Sequence, residues 1–169
     1  MLSVDARLIR CGVDQVAVTF PQAGGCLCGA TRYEIREDPL IAYACHCTDC
    51  QTASGSGFAL CLTTPVATID VGRGAVERRT ISFEDGRVWN FLVCGECETR
   101  LWSERRTTPE IVSVRAGTLD DPSWVHPVAH IWVASALPWS PIPADALRYP
   151  GQPGDPMEMI RAWRERAAR

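Results

Sequence analysis

The spacing of the cysteines is the feature that most constrains how this chain can fold. Seven of its nine cysteines fall into three short clusters, at residues 26–28, 45–50 and 94–97. Clusters as tight as these are typical of metal ligands, and the odd total argues against a framework of disulfide bonds. We therefore expect the chain to fold around bound metal.

The first and last clusters together predict one closed metal site. In the C-x2-C pair of Cys94 and Cys97, the amides of a tight turn point at the thiolates, and Gly95 favours such a turn. In the C-x-C pair of Cys26 and Cys28, both sulfurs share one face of an extended backbone, because side chains alternate there. Buried free cysteines are the alternative interpretation. We predict a structural zinc ion with four thiolate ligands, Cys26, Cys28, Cys94 and Cys97.

The middle cluster supplies only three thiols, those of Cys45, Cys47 and Cys50. Three thiolates leave one position of a tetrahedral zinc ion free for a substrate, whereas a structural site is closed. The spacing leaves two alternatives equally open, namely an open catalytic site or a second structural zinc closed by Cys61, Cys11 or His46. The ring of His46 is expected to point away from the metal, because its two neighbours face the other way.

The charge of a three-thiolate site favours thiol chemistry. Three thiolates around Zn(II) leave a net charge of about −1, so the metal ionises water less readily than a three-histidine site does. A thiol bound as the fourth ligand would ionise well below its usual pKa of about 8.5. We expect such a site to present a thiolate nucleophile at neutral pH.

Composition excludes several other classes of function. The net charge of −3 and the pI of about 5.6 argue against nucleic acid and anionic lipid as partners. All 17 basic residues are arginine, which excludes a lysine nucleophile or Schiff base. We find neither an apolar run long enough to span a membrane nor a secretory signal in residues 1–12, so we predict a cytoplasmic protein.

Alternation of apolar and polar residues predicts a single all-β domain. The expected strands cover residues 16–20, 30–36, 58–62, 76–83, 87–93, 111–115 and 128–134. His130 lies in the last of these and is interpreted as a structural residue. One helix is predicted near the C-terminus, with Asp155 as its cap, Glu158 completing a capping box, and Ile160, Trp163 and Ala167 on one face.

The order of the motifs resembles that of the glutathione-dependent formaldehyde-activating family, which is also called the centromere protein V family. The resemblance covers about residues 24–140. It is carried by Gly24-Gly25-Cys26-x-Cys28-Gly-Ala-Thr-Arg-Tyr, Cys45-His-Cys47-x-x-Cys50 with Ser54-Gly55 to Phe58, Cys94-x-x-Cys97-x-x-x-Leu-Trp, Gly117-Thr118-Leu119-Asp120, and His130-Ile131-Trp132-Val133 leading to Pro138-Trp139.

The resemblance implies an all-β, zinc-bound β-tent built of antiparallel sheets, here with a short C-terminal helix. It implies two Zn(II) ions per chain, a structural one on the four-cysteine set and a catalytic one on Cys45, Cys47 and Cys50. The implied activity is that of a carbon–sulfur lyase, the reversible addition of glutathione or a similar thiol to formaldehyde or a related small aldehyde. We divide the chain into an N-terminal extension (1–23), the zinc domain (24–140), and a proline-rich segment with the C-terminal helix (141–169).

Two features depart from the family pattern. Residues 1–23 have no counterpart in the family core, and Gln51-Thr52 follow the middle cluster where many relatives look basic. Arg32, Arg79 and Arg100 are the candidates that could replace this positive charge. A non-catalytic zinc-stabilised binding scaffold and a thiol or redox sensor are the alternative functions.

Overall fold

The computed structural model describes residues 18–166. Within this range the chain forms eleven strands and two helices. The strands are β1 (Gln22–Gly25), β2 (Arg32–Ile35), β3 (Ile41–Cys45), β4 (Ala59–Pro65), β5 (Ile69–Arg73), β6 (Val76–Ser82), β7 (Val88–Cys94), β8 (Arg100–Arg105), β9 (Thr108–Arg115), β10 (Ala129–Ile131) and β11 (Leu147–Tyr149). The helices are α1 (Thr48–Ser54) and α2 (Met157–Glu165).

The strands form two sheets. The small sheet has the order β1-β2-β5, and the large sheet has the order β11-β10-β3-β4-β9-β8-β7-β6. Neighbouring strands are antiparallel except around β10, which runs parallel to both β3 and β11. The prediction of an all-β fold with a short C-terminal helix is confirmed. No helix among residues 18–166 has the length and apolar character needed to cross a lipid bilayer.

The main core brings side chains of both sheets together. Tyr33 and Ile35 of β2 are buried as their alternation with polar residues predicts, and they join Leu62, Val114 and Trp102 of the large sheet. The rings of Tyr33 and Trp102 meet edge to face, with their centroids 5.6 Å apart. This contact packs the two sheets against one another.

Most of the predicted strands are present with shifted ends. The strand expected over 128–134 stops at Ile131, because Trp132 adopts a left-handed backbone with φ of 60°. A 3₁₀ turn, Val133–Ser135, follows it. For the strand expected over 16–20, residues 18–20 are not extended into a sheet, and residues 16 and 17 lie outside the described range.

The C-terminal helix begins at Met157, whose amide N–H donates to the Asp155 carboxylate at 2.9 Å. The predicted capping box is wrong, because Glu158 instead accepts a hydrogen bond from the Tyr149 hydroxyl. Trp163 is fully buried in the main core, so the helix packs on the sheets as expected. Ala167 lies outside the described residues, and the division of the chain at residues 23 and 140 stays a prediction.

Candidate metal centres

The four-cysteine set lies where the two sheets meet. Cys26 and Cys28 sit in the turn that leaves β1 of the small sheet, and Cys94 and Cys97 sit in the turn between β7 and β8 of the large sheet. The four Sγ atoms all lie within 4.8 Å of one another. A metal ion held here would therefore tie the two sheets together.

Backbone amides point at these sulfurs, as the spacing predicts. The amide of Thr31 donates to Cys26 Sγ at 3.2 Å, and that of Glu96 donates to Cys94 Sγ at 3.4 Å. The Thr99 hydroxyl lies 3.1 Å from Cys97 Sγ. Such donors stabilise thiolates, which are the form of cysteine that binds metal.

The left-handed residue of this turn is not its glycine. Gly95 is not in the left-handed region, and the positive φ of 57° falls on Glu98 instead. The N–H of Glu98 bonds to the carbonyl of Cys94, which closes the turn around both thiols. Gly95 is still useful at its position, because a Cβ there would approach Glu77 Oε1 to 3.1 Å.

The second set joins the end of a strand to the start of a helix. Cys45 is the last residue of β3, Cys47 is the N-cap of α1, and Cys50 lies in the first turn of that helix. Their Sγ atoms lie within 4.8 Å of one another, and those of Cys45 and Cys47 are 3.5 Å apart. The fold thus brings together the three thiols that the sequence singled out.

The donor set of this second group fits a divalent cation. Hydrogen bonds with Cys45 and Cys50 lower the pKa of Cys47, while hydrogen bonds with Cys47 and Cys50 raise the pKa of Cys45. The three sulfurs are thus too close for all of them to ionise without a positive charge between them. Zn(II) is a suitable cation, because it binds thiolates in sites of three or four ligands.

The described residues supply no fourth protein ligand to this group. Cys61 is buried on the next strand, where its thiol accepts a hydrogen bond from Arg115 Nη1 at 3.2 Å, and it is not a member of the three-sulfur group. Burial raises the pKa of the Cys61 thiol, which favours its neutral form. Cys11 lies outside the described residues.

His46 points away from the three sulfurs, into the protein. Its Nε2 lies 2.8 Å from Nδ1 of His130, and the two rings stack with centroids 5.1 Å apart. Burial lowers the pKa of both rings, that of His130 to about 4. Both histidines are therefore neutral at pH 7. They pack beneath the loop that carries the second cysteine set, on the side away from the sulfurs.

Gln51 of α1 and Ser135 of the 3₁₀ turn after β10 hold the same loop in place. The Gln51 side-chain amide donates to the carbonyls of His46 and Ser135, at 2.7 Å and 2.8 Å. The Ser135 hydroxyl donates to the His46 carbonyl at 3.0 Å. The 3₁₀ turn after β10 thus fixes the backbone between Cys45 and Cys50.

A cavity of about 370 Å³ opens beside α1. Ala53 and Ser54 line it from the helix, and they lie three and four residues after Cys50, which places them on the same helix face. Arg100 of β8 and Arg115 of β9 line the opposite wall. Of the three arginines proposed from the sequence, only Arg100 borders this cavity, and Arg115 was missed.

Comparison with known proteins assigns the family. The family model described as glutathione-dependent formaldehyde-activating enzyme matches residues 21–135, which is more than half of the chain. The chain belongs to this family. All seven clustered cysteines lie in the matched region. The resemblance expected from the motifs is therefore confirmed.

Other comparisons add less to the family assignment. A crystal structure of a Rhodobacter sphaeroides protein from structural genomics is similar to this chain, with 25% sequence identity and a TM-score of 0.43. That match covers 58% of this chain and 87% of the other. No curated protein matches the chain. Helix α2 lies outside the region that the family model matches. Its residue Trp163 is nevertheless part of the main core.

Proposed function

We propose that the chain is a zinc-dependent carbon–sulfur lyase. In this proposal it reversibly adds a thiol such as glutathione to formaldehyde or a related small aldehyde. The observation that carries the proposal is the group of three convergent thiols, Cys45, Cys47 and Cys50, without a fourth protein ligand among residues 18–166. Membership of the formaldehyde-activating family supports this class of reaction.

The two cysteine sets have different roles in this proposal. A Zn(II) ion held by Cys45, Cys47 and Cys50 would supply a Lewis acid that lowers the pKa of a bound substrate thiol. A second Zn(II) held by the four-cysteine set, to which Cys94 and Cys97 belong, would be structural.

The protein's own residues hold the three thiols in place. The amide of Cys50 donates to Cys47 Sγ at 3.4 Å, and Cys47 in turn caps the helix. Gln51 and Ser135 fix the intervening backbone through the carbonyl of His46. Preorganisation of this kind keeps the substrate thiol close to the position from which it attacks the aldehyde.

The proposed reaction balances without an oxidant or a reductant. The substrate thiol loses its proton, its sulfur forms a bond to the aldehyde carbon, and the carbonyl π electrons move to oxygen. The oxygen then takes up one proton, so that a hydroxymethyl thioether results. In the reverse direction the C–S bond breaks and the aldehyde leaves.

The first test combines metal analysis with an exchange assay. We expect two zinc ions per chain in the wild-type protein and one in Cys45→Ser. NMR exchange spectroscopy on glutathione and formaldehyde measures how fast S-(hydroxymethyl)glutathione forms and decays. The wild-type protein should raise the exchange rate above that of buffer, whereas Cys45→Ser should return it to that of buffer.

Cys61→Ser is the matched control, because Cys61 is a buried thiol near the site but outside the three-sulfur group. It should keep both zinc ions and most of the exchange activity, because the serine hydroxyl can still accept the hydrogen bond from Arg115 Nη1. One zinc ion per chain, unaffected by Cys45→Ser, would contradict the proposal. A cobalt-substituted protein whose spectrum ignores added thiols would instead favour a closed site, as expected of a binding scaffold.

A further inference from the structure

Two arginines share the cavity next to the three-thiol group without any carboxylate partner. Several other arginines, such as Arg36 and Arg87, pair with aspartates. Among residues 18–166 no carboxylate lies within 4.0 Å of the guanidinium of Arg100 or Arg115. The buried Nε of Arg115 also has no hydrogen-bond partner in this range. The cavity thus holds two positive charges with unused donors.

Strand register places Arg115 beside the thiols. Arg115 lies opposite Cys61 in the β9–β4 pair, and Cys61 lies opposite Tyr43 in the β4–β3 pair. Cys45 follows Tyr43 by two residues, so its side chain points to the same face of the sheet. Residues in such a cross-strand row are direct neighbours. The row therefore runs from the guanidinium of Arg115 to the strand that ends at Cys45.

Both guanidinium groups are held in fixed positions. Arg115 Nη1 donates to Cys61 Sγ at 3.2 Å. The guanidinium of Arg100 stacks on the ring of Phe91, 4.3 Å from its centroid. Anchoring of this kind reduces the entropy that each side chain loses when a ligand binds. It also leaves the other N–H groups available as donors.

The electrostatics of this pair favour the binding of an anion beside it. Burial and the like charge of Arg115 lower the pKa of Arg100 to about 10, so Arg100 stays charged at neutral pH. Burial lowers the pKa of Arg115, but the nearby thiols of Cys61 and Cys50 outweigh it and raise that pKa overall. Both arginines are therefore charged, and a bound anion would offset the repulsion between them. A planar carboxylate is a suitable anion, because guanidinium groups bind it through two parallel hydrogen bonds.

The other basic candidates and Gln51 are occupied elsewhere. Arg32 pairs with Asp120, and Arg79 pairs with Glu77 and Glu98. Gln51 uses its amide group on backbone carbonyls, so it does not serve as a ligand for an anion. The cavity arginines are thus the positive groups best placed to read a charge on the substrate.

We propose that Arg100 and Arg115 bind a carboxylate of the thiol substrate and thereby select anionic thiols over neutral ones. This inference rests on the proposed thiol-binding function of Cys45, Cys47 and Cys50. The substrate class is then a thiol that carries a carboxylate within reach of the cavity, whose volume of about 370 Å³ suits a small molecule. The two arginines determine specificity, while the sulfur group determines reactivity.

The test compares a thiol acid with its methyl ester, which lacks the negative charge. 3-Mercaptopropionate and its methyl ester are titrated into the cobalt-substituted protein, and the absorption of the cobalt–thiolate bands gives each Kd. Charge-assisted hydrogen bonds predict that the acid binds roughly 10- to 100-fold more tightly than the ester. Arg100→Gln and Arg115→Gln should each reduce this ratio at least severalfold while leaving the Kd of the ester unchanged.

Arg106→Gln is the matched control, because Arg106 is exposed at the opposite end of the β8–β9 hairpin. It makes the same change in net charge and should leave the ratio as in the wild type. Equal affinity for acid and ester in the wild-type protein would overturn the inference, as would an unchanged ratio in both cavity variants. The wild-type comparison decides the question even if a cavity variant does not fold.

The outcome also separates this inference from the proposed function. If neither thiol alters the cobalt spectrum, the proposed function fails. Calorimetry with S-methylglutathione, which has carboxylates but no free thiol, then tests the two arginines alone. Binding that Arg100→Gln and Arg115→Gln abolish would support the anion site, and no binding to the wild type would overturn it.

Discussion

Replacing Trp163 with alanine tests whether the C-terminal helix is an integral part of the fold. The Trp163 side chain is 0% exposed and lies in the main core, with its ring centroid 6.4 Å from that of Trp124. Its indole N–H has no hydrogen-bond partner within residues 18–166, so the loss on truncation comes from packing and from the stacking of the Arg166 guanidinium, 3.4 Å from the ring centroid. Large-to-small substitutions of a buried tryptophan cost about 3–5 kcal/mol. We expect Trp163→Ala to reduce the free energy of unfolding by this amount.

Urea denaturation of the zinc-loaded protein measures the change, and thermal unfolding should show a decrease in Tm of roughly 6–20 °C. Met157→Ala is the control on the same helix, because Met157 is 45% exposed and should change stability by no more than about 0.5 kcal/mol. Zinc content must be equal in both variants, so that metal loss does not contribute. A loss below about 1 kcal/mol for Trp163→Ala would refute the integral packing of the helix.

Two further pairs of variants test the backbone geometry at a glycine and the protonation of a buried histidine. Gly74→Ala should destabilise the protein more than Gly86→Ala in urea denaturation. Both glycines have φ near 80°, but only at Gly74 would a Cβ approach the backbone, 2.4 Å from the Ala30 carbonyl oxygen. Equal losses of stability in the two variants would refute the clash. The pKa of His130 is near 6.5 in the unfolded chain and about 4 in the folded protein. The stability that the neutral His130 ring allows is therefore fully present above pH 6.5. It is lost as the pH falls towards 4, at about 1.4 kcal/mol per pH unit. Urea denaturation at pH 7 and pH 5 should show a smaller pH dependence for His130→Gln than for the wild type, while the exposed control His126→Gln should not differ from the wild type.

Local spacing singled out the two candidate metal-ligand sets because it needs no knowledge of the fold. Cys45, Cys47 and Cys50 approach one another through the geometry of one strand end and one helical turn. The four-cysteine set required an assumption that Cys28 and Cys94 meet, and the fold satisfies it with their sulfurs 3.9 Å apart. Two ligand-spaced pairs in one reduced chain made that assumption reasonable.

The elements that the sequence analysis missed have weak local patterns. Strand β3 (Ile41–Cys45) is central in the large sheet and buried on both faces, so its residues do not alternate between apolar and polar. Helix α1 (Thr48–Ser54) has no buried residue, and therefore no apolar stripe announces it. Its start depends on the Cys47 cap and its end on Gly55, which has φ of 62°.

The contacts around the three thiols that the sequence analysis did not predict join distant parts of the chain. His46 and His130 are 84 positions apart, and they pair because β10 runs parallel to β3. Arg115 reaches the cavity only through the register of β3, β4 and β9. Neither contact has a local signal, since both depend on which strands become neighbours.

The two cysteine sets differ greatly in how far apart their members lie along the polypeptide, and this difference orders the steps of assembly. The three-thiol group spans six consecutive residues, so a nascent chain can chelate an ion there as soon as residue 50 has left the ribosome. The four-cysteine set forms only when the chain closes the 66-residue loop between Cys28 and Cys94, at an entropic cost of roughly 4 kcal/mol. We therefore expect an ion to bind the three-thiol group before a second ion binds the four-cysteine set and joins the two sheets.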